Sequence, residues 1–191
     1  MPAMSKIERA FCCGALWRTS TGAVIRSLPG TALGNDVLEI GSGSGAIAAT
    51  LIRENPGMAV TASDLDPVMV SAAAARLRDV PGATVATADA TALPFPDSSY
   101  DSVLSCLMLH HVIDWEAALR EVARVLRPGG VFVGYDLVRT PLATAVHRVD
   151  RSPFRLFTPA EFTAESAEAG MRSDTTTTLM GHVLRFELRA T

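Results

Sequence analysis

The stretch that most restricts how this chain can fold is Glu39-Ile40-Gly41-Ser42-Gly43-Ser44-Gly45, in which three glycines alternate with single residues. The run before it, Asp36–Ile40 (DVLEI), reads as a short buried strand, and Ala46–Glu54 after it reads as a helix. The glycines therefore occupy a sharp strand-to-helix turn. Glycine there permits positive φ and lets a ligand approach the backbone closely. The free N–H groups at the start of the following helix favour acceptor or anionic groups of such a ligand.

The same alternation continues downstream. Strands are expected at 58–63, 83–88, Tyr100–Cys106 and 131–135. The helix at 67–78 has Asp66 as N-cap and Pro67 at its first position. Asp114 caps another helix, whose Leu119, Val122, Val125 and Leu126 form an apolar stripe, and Pro128-Gly129-Gly130 stops it. Strands alternating with helices imply right-handed crossovers and an α/β doubly wound sheet with helices on both faces. The end of the chain departs from that pattern. Thr158-Pro159-Ala160-Glu161 has the form of a capping box, with Gly170 as C-cap. Two strand-like runs follow at 173–179 and 182–188. In the second, Leu184, Phe186 and Leu188 alternate with Arg185 and Glu187, so the pair reads as a terminal hairpin with one antiparallel strand. Residues 1–34 read as an N-terminal helical segment that packs against, or covers, a domain spanning 35–191.

Composition narrows the function classes. At 191 residues the chain suits one domain. Its net charge is -3, lysine is represented by Lys6 alone and no dense basic run occurs, which argues against a nucleic-acid partner. Cys12, Cys13 and Cys106 supply neither a paired framework nor a CxxC spacing. Cys12 and Cys13 are read as small apolar groups. No apolar run reaches membrane-spanning length and no signal-peptide pattern is present, so a cytoplasmic location is the expectation. The spacing of histidines, cysteines and acids suggests no metal ligands.

Gly41, Gly43 and Ala46 also satisfy the GxGxxA fingerprint of nicotinamide dinucleotide sites, and Asp64 closes the next strand where an acid can take ribose hydroxyls. These features point to an adenosine-containing cofactor without choosing which one. An NAD(P)-dependent reductase and a non-catalytic cofactor-binding module are the alternatives. A reductase would normally need a tyrosine–lysine pair or similar proton donor, and Lys6 lies far from the core pattern.

Later motifs discriminate. Asp64-Leu65-Asp66-Pro67-Val68-Met69 follows the second strand, 89–101 reads DATALPFPDSSYD, 109–112 reads LHHV, and 124–130 reads RVLRPGG. Together with VLEIGSGSG at 37–45, they make the chain similar to the class I S-adenosylmethionine-dependent methyltransferases of the small-molecule group, closely over about residues 35–137. That resemblance implies a seven-stranded, mostly parallel sheet of order 3-2-1-4-5-7-6 with strand 7 antiparallel. It further implies that Glu39 and the turn Gly41, Ser42, Gly43 and Gly45 face the methionine part of S-adenosyl-L-methionine. Asp64 would take the ribose hydroxyls with Leu65 beside the adenine, and Asp89 and Ala90 would hold the adenine edge. Cys106 and Leu107 would lie near the methionine amine or sulfonium. S-adenosyl-L-homocysteine would be the product.

The sulfonium carries the difficult chemistry, so the protein must align a nucleophile and exclude water; no metal is required. His110 and His111, at the mouth of the site, are the candidates for a catalytic base. Tyr135, Asp136 and Arg139 are candidates for the acceptor pocket, with Asp136 also able to cap a helix or pair with an arginine. His147, Arg148 and Asp150 lie in a segment that could fold over the site or remain solvated. The short segments before the first strand and after the fifth imply an open pocket, or one completed by a second copy in a homodimer. A small-molecule acceptor, apolar or lipid-like, is the expectation.

Overall fold

The run Asp36–Ile40 forms β1, the third strand from one edge of a seven-stranded sheet. The computed structural model describes Gly14, Ile25 and residues 32–150 and 153–191. The expectations for Cys12 and Cys13, and for a covering N-terminal helix, lie outside the described residues. The other strands are β2 (Ala59–Asp64), β3 (Ala83–Thr87), β4 (Tyr100–Cys106), β5 (Leu126–Leu137), β6 (Met171–Thr178) and β7 (Val183–Ala190). The helices are α1 (Ala46–Glu54), α2 (Pro67–Leu77), α3 (Trp115–Val125), α4 (Pro141–Asp150) and α5 (Pro159–Glu168), with short 3₁₀ turns at Leu109–His111 and Leu179–Gly181.

The strand order is β3-β2-β1-β4-β5-β7-β6, with β7 antiparallel to both neighbours. This is the expected topology. β1 pairs in parallel with β2 on one side and β4 on the other, and its Val37 on one face and Leu38 and Ile40 on the other are all buried. The chain leaves β1 toward β2 and β3, then returns to β4 and continues outward. The carboxyl ends of β1 and β4 thus border the crevice where connections change side.

Alternation along the strands divides the core between the two faces. Leu38, Ile40, Val103 and Phe132 pack with Trp115, Leu119, Phe157, Phe162 and Phe186 beneath α3 and α5. Val37, Leu104, Val131 and Val133 pack with Ile47, Leu51 and Leu77 beneath α1 and α2. By the same alternation Glu39 shares the face of Val37, under α1.

The local signals act as their chemistry requires. Asp66 caps α2 by accepting from Val68 N at 2.9 Å, and Asp114 caps α3 by accepting from Ala117 N at 3.1 Å. Thr158 and Glu161 form the full capping box of α5. Gly170, at φ 78°, follows the end of that helix. Leu184, Phe186 and Leu188 are fully buried, as their alternation predicted. Two boundaries differ from the sequence reading. The helix α3 ends at Val125, ahead of the Pro128-Gly129-Gly130 turn. Those residues instead form an irregularity in β5, where pairing with β4 jumps from Tyr100↔Leu126 to Ser102↔Val131.

Candidate active site

The turn after β1 is built from three left-handed glycines, with φ of 66° at Gly41, 54° at Gly43 and 71° at Gly45. A side chain at Gly41 would also have no room, since a Cβ there would fall 2.0 Å from Met108 Cγ. The turn is held from below by Ser42 N, which donates to Ser63 O at 2.9 Å, and by Gly45 N, which donates to Ser42 O at 3.0 Å. Arg76 of α2 reaches over it and donates through Nε to Ser44 O at 2.7 Å. Within this rigid frame the Ser42 hydroxyl is buried and has no hydrogen-bond partner among the described residues. A buried, unused polar atom beside a glycine cradle is the state expected of a ligand-binding turn.

Glu39 lies directly behind the turn and is 2% exposed. One carboxyl oxygen accepts from Ala48 N at 3.2 Å, and Ser63 Oγ donates to the Glu39 carbonyl at 2.9 Å. Burial pushes the carboxyl up from 4.5 to about 8; the Ala48 N–H pulls it down only in part, and the charge of Asp64 adds to the rise. A cation placed against Glu39 would remove that penalty.

Asp64 ends β2, with one carboxylate oxygen accepting from Gly43 N at 2.8 Å and the other from Asp66 N at 2.9 Å. It therefore ties the glycine turn to the next strand, while each oxygen keeps a further lone pair for a ligand. Burial raises its pKa, and the N–H groups of Asp66 and Gly43 counter this. Leu65 beside it is half-buried. Ala88 N donates to Asp64 O at 3.1 Å, which brings the end of β3 against that of β2. Asp89 follows immediately and accepts from Thr91 N at 2.9 Å and Thr91 Oγ1 at 2.7 Å. Burial raises the Asp89 carboxyl, but these bonds outweigh it and hold the group below the usual range. Ala90 is buried. Asp64 and Asp89 thus stand at the carboxyl ends of adjacent strands.

Across the crevice, β4 ends at Cys106, and Leu107 takes a positive φ of 55°. Leu107 N donates to Tyr135 O at 2.9 Å. A non-glycine residue in this region carries strain, which accumulates at functional sites. Burial drives the Cys106 thiol well above its ordinary value, reinforced by Glu39 and Asp136, so it is no thiolate nucleophile.

The carboxylate of Asp136 organises the turn that follows. It is fully buried and accepts from Met108 N at 3.0 Å, Leu109 N at 2.7 Å and Leu137 N at 2.7 Å. Met108 N and Leu109 N share one oxygen, and His110 Nδ1 contacts the oxygen that also takes Leu137 N. Asp136 thereby satisfies the N–H groups that open the Leu109–His111 turn, and its side-chain partner is His110 rather than an arginine. With Nδ1 engaged by the carboxylate, Nε2 is the ring nitrogen left for other contacts. His110 is 3% exposed and His111 is half-buried. His147, from α4, is buried in ring contact with both, at centroid distances of 4.8 and 5.4 Å. Arg139 is committed elsewhere, pairing with Glu161 at 3.0 Å.

The structure brings Glu39, Gly41, Ser42, Gly43, Gly45, Asp64 and Asp89 to the ends of three neighbouring strands, and His110 and His111 to the far side of β4. Sequence reasoning gave no role to Met108, Ser63 or Arg76, and no partnership to His147. Their parts depend on contacts between residues far apart in sequence, such as Gly41 with Met108 and Ser44 with Arg76, which leave no local pattern.

Residues 38–134, just over half of the chain, match the model of the family described as "Methyltransferase domain". A demethylmenaquinone methyltransferase of Tropheryma whipplei is 35% identical over 124 residues, covering 65% of this chain and 49% of the relative. The chain spans about half the length of the curated relatives it matches. Among solved structures, a chain of the Haloferax volcanii complex between the Trm112 methyltransferase activator and a methyltransferase superposes with a TM-score of 0.79. It is 21% identical, with 96% of this chain and 94% of that one covered. Haemonchus contortus phosphoethanolamine N-methyltransferase 2, solved with S-adenosyl-L-methionine, gives a TM-score of 0.73 at 15% identity, covering 90% of this chain and 51% of that one. With its sheet order, its strand-tip acids and the matched domain taken together, the chain belongs to the methyltransferase-domain family of the class I S-adenosylmethionine-dependent methyltransferases.

Proposed function

We propose that this chain transfers a methyl group from S-adenosyl-L-methionine to a small, lipid-like acceptor of the demethylmenaquinone type. The observation that carries the reading is the joint placement of the glycine turn, Asp64 and Asp89 at the carboxyl ends of β1, β2 and β3, within a matched methyltransferase domain. The residues fit the cofactor on two independent grounds. The turn has an unpartnered buried hydroxyl at Ser42 and no room for a side chain at Gly41. Behind it stands Glu39, a buried carboxyl whose ionisation a cofactor ammonium would relieve.

In this reading Asp64 binds the ribose hydroxyls, Leu65 packs beside the adenine, and Asp89 with the Ala90 backbone holds the adenine edge. Glu39 and the turn Gly41, Ser42, Gly43 and Gly45 take the methionine part, with Cys106 and Leu107 near its amine and sulfonium. The bound cofactor supplies an activated methyl group, and S-adenosyl-L-homocysteine is left after transfer. The protein's own task is to hold the acceptor in line behind that methyl group and to exclude water, an effect that reaches roughly 7–11 kcal/mol in favourable cases. His110 is the proton acceptor, its tautomer set by Asp136, and His111 lies beside it.

Thermal-shift measurements with S-adenosyl-L-methionine, S-adenosyl-L-homocysteine, NAD and NADP test the cofactor assignment. Stabilisation by the first two alone is expected, about 2.7 kcal/mol at a hundredfold excess over Kd. A shift with NADP alone would establish a reductase instead. Methyl transfer from labelled cofactor is then assayed against hydroquinones with apolar tails, phenols, thiols, amines and carboxylates. Turnover confined to the hydroquinones and phenols supports the acceptor class, and turnover confined to polar amines overturns it. Cofactor binding without turnover on any acceptor class would indicate a binding module.

A further inference from the structure

Three of the four histidines in the chain, His110, His111 and His147, converge at the carboxyl edge of β4 and β5. Each brings one ring nitrogen into a group whose members lie within 4.8 Å of one another. The His110 and His111 ring centroids are 4.0 Å apart. The first two come from the turn at Leu109–His111, and the third arrives from the second turn of α4, with Phe154 stacked on it at 4.9 Å.

Two of these rings are already oriented through Nδ1. His110 Nδ1 is bound by the Asp136 carboxylate, itself fixed by three backbone N–H groups. His111 Nδ1 makes a long contact of 3.5 Å with Pro153 O. An oxygen acceptor on Nδ1 fixes the tautomer and presents Nε2, which is the support that metal-bound imidazoles receive. Tetrahedral zinc with Zn–N bonds of about 2.0–2.1 Å sets its nitrogens about 3.3 Å apart. The widest separation in the group would have to contract by about 1.5 Å, a movement that χ rotations of His111 and His147 can share.

We infer that His110, His111 and His147 form a three-imidazole site for a late first-row divalent metal ion, with zinc as the reference case. All-nitrogen donors select zinc, cobalt, nickel or copper over magnesium and calcium, which prefer oxygen. Three protein ligands leave a fourth position for an oxygen donor, such as the hydroxyl of an acceptor. The ion and a free His110 base are exclusive uses of one nitrogen. The inference does not depend on methyl transfer, and metal binding is measured without cofactor or acceptor.

The test is calorimetric titration of the tag-free, chelator-treated full chain with zinc chloride. Cobalt chloride is followed in parallel by its visible absorption, and magnesium chloride serves as the control. One zinc per chain is expected, with a tetracoordinate cobalt spectrum and no heat from magnesium. His147→Ala, and independently His111→Ala at its half-buried position, should each lower zinc affinity at least tenfold with far-UV circular dichroism unchanged. Absence of stoichiometric zinc binding overturns the site, as does full affinity in both variants.

Discussion

Replacing Glu39 by Gln tests the electrostatics behind the glycine turn. The substitution keeps the shape and leaves an oxygen to accept the Ala48 N–H bond. It removes a carboxyl that burial pushes from 4.5 to about 8. Between those two values the unfolded chain is ionised while the folded chain keeps the proton, so the folded state binds more protons and wild-type stability falls as pH rises. At about 1.4 kcal/mol per pH unit, the penalty is under about 1 kcal/mol at pH 5 and roughly 3 kcal/mol at pH 7, levelling off above pH 8. Gln adds buried amide donors, which cost about 1–3 kcal/mol independently of pH. The diagnostic quantity is therefore the slope. Urea denaturation of both proteins at several pH values should show the variant gaining about 3 kcal/mol on wild type between pH 5 and pH 7.5. A difference that stays constant over this range would refute the assignment of a neutral, buried Glu39. The same logic makes cofactor binding release a proton at pH 7, with affinity rising toward pH 8.

Asp64→Asn should weaken S-adenosyl-L-methionine binding by about 10- to 100-fold, through loss of hydrogen bonds to a charged group worth about 1.5–3 kcal/mol. Unchanged affinity in calorimetry would remove Asp64 from the ribose contact. Asp136→Asn should destabilise the fold by roughly 2–3 kcal/mol, since one oxygen cannot serve donors that now occupy two. It should also alter the pH profile of turnover, because the Nδ1 proton of His110 loses its acceptor; a preserved profile would leave Asp136 a purely structural residue. Phe162→Ala should cost about 3–5 kcal/mol in urea denaturation, as Phe162 is fully buried among Trp115, Phe157 and Phe186. A loss below about 1 kcal/mol would mean that this cluster carries little of the core.

Most of the sheet was legible because its signals are local. Val37, Leu38 and Ile40 supply apolar groups to both faces of β1, Leu184, Phe186 and Leu188 alternate where β7 has two unlike faces, and Asp66, Asp114 and Thr158 cap the helices they precede. The placement of the glycines, Asp64 and Asp89 was legible for the same reason, since each sits next to a strand end. The far side of the crevice was not. Asp136 reaches back 28 residues to Met108 N, and His147 meets His110 only because α4 folds over the end of β4. The glycines at 129 and 130 read as a helix stop because their signal fits a stop or a strand irregularity equally well. Tertiary pairing with β4 decides for the second.

The proposed cofactor site requires one adenosine to be gripped between Asp64 and Asp89. A crystal structure of the chain with S-adenosyl-L-homocysteine tests this directly. The prediction is ribose hydroxyls on the Asp64 carboxylate, the adenine edge at Asp89, and the amino-acid tail against Glu39 and the turn after β1. A ligand bound away from the ends of β2 and β3, or an adenosine that leaves both aspartates untouched, would contradict it.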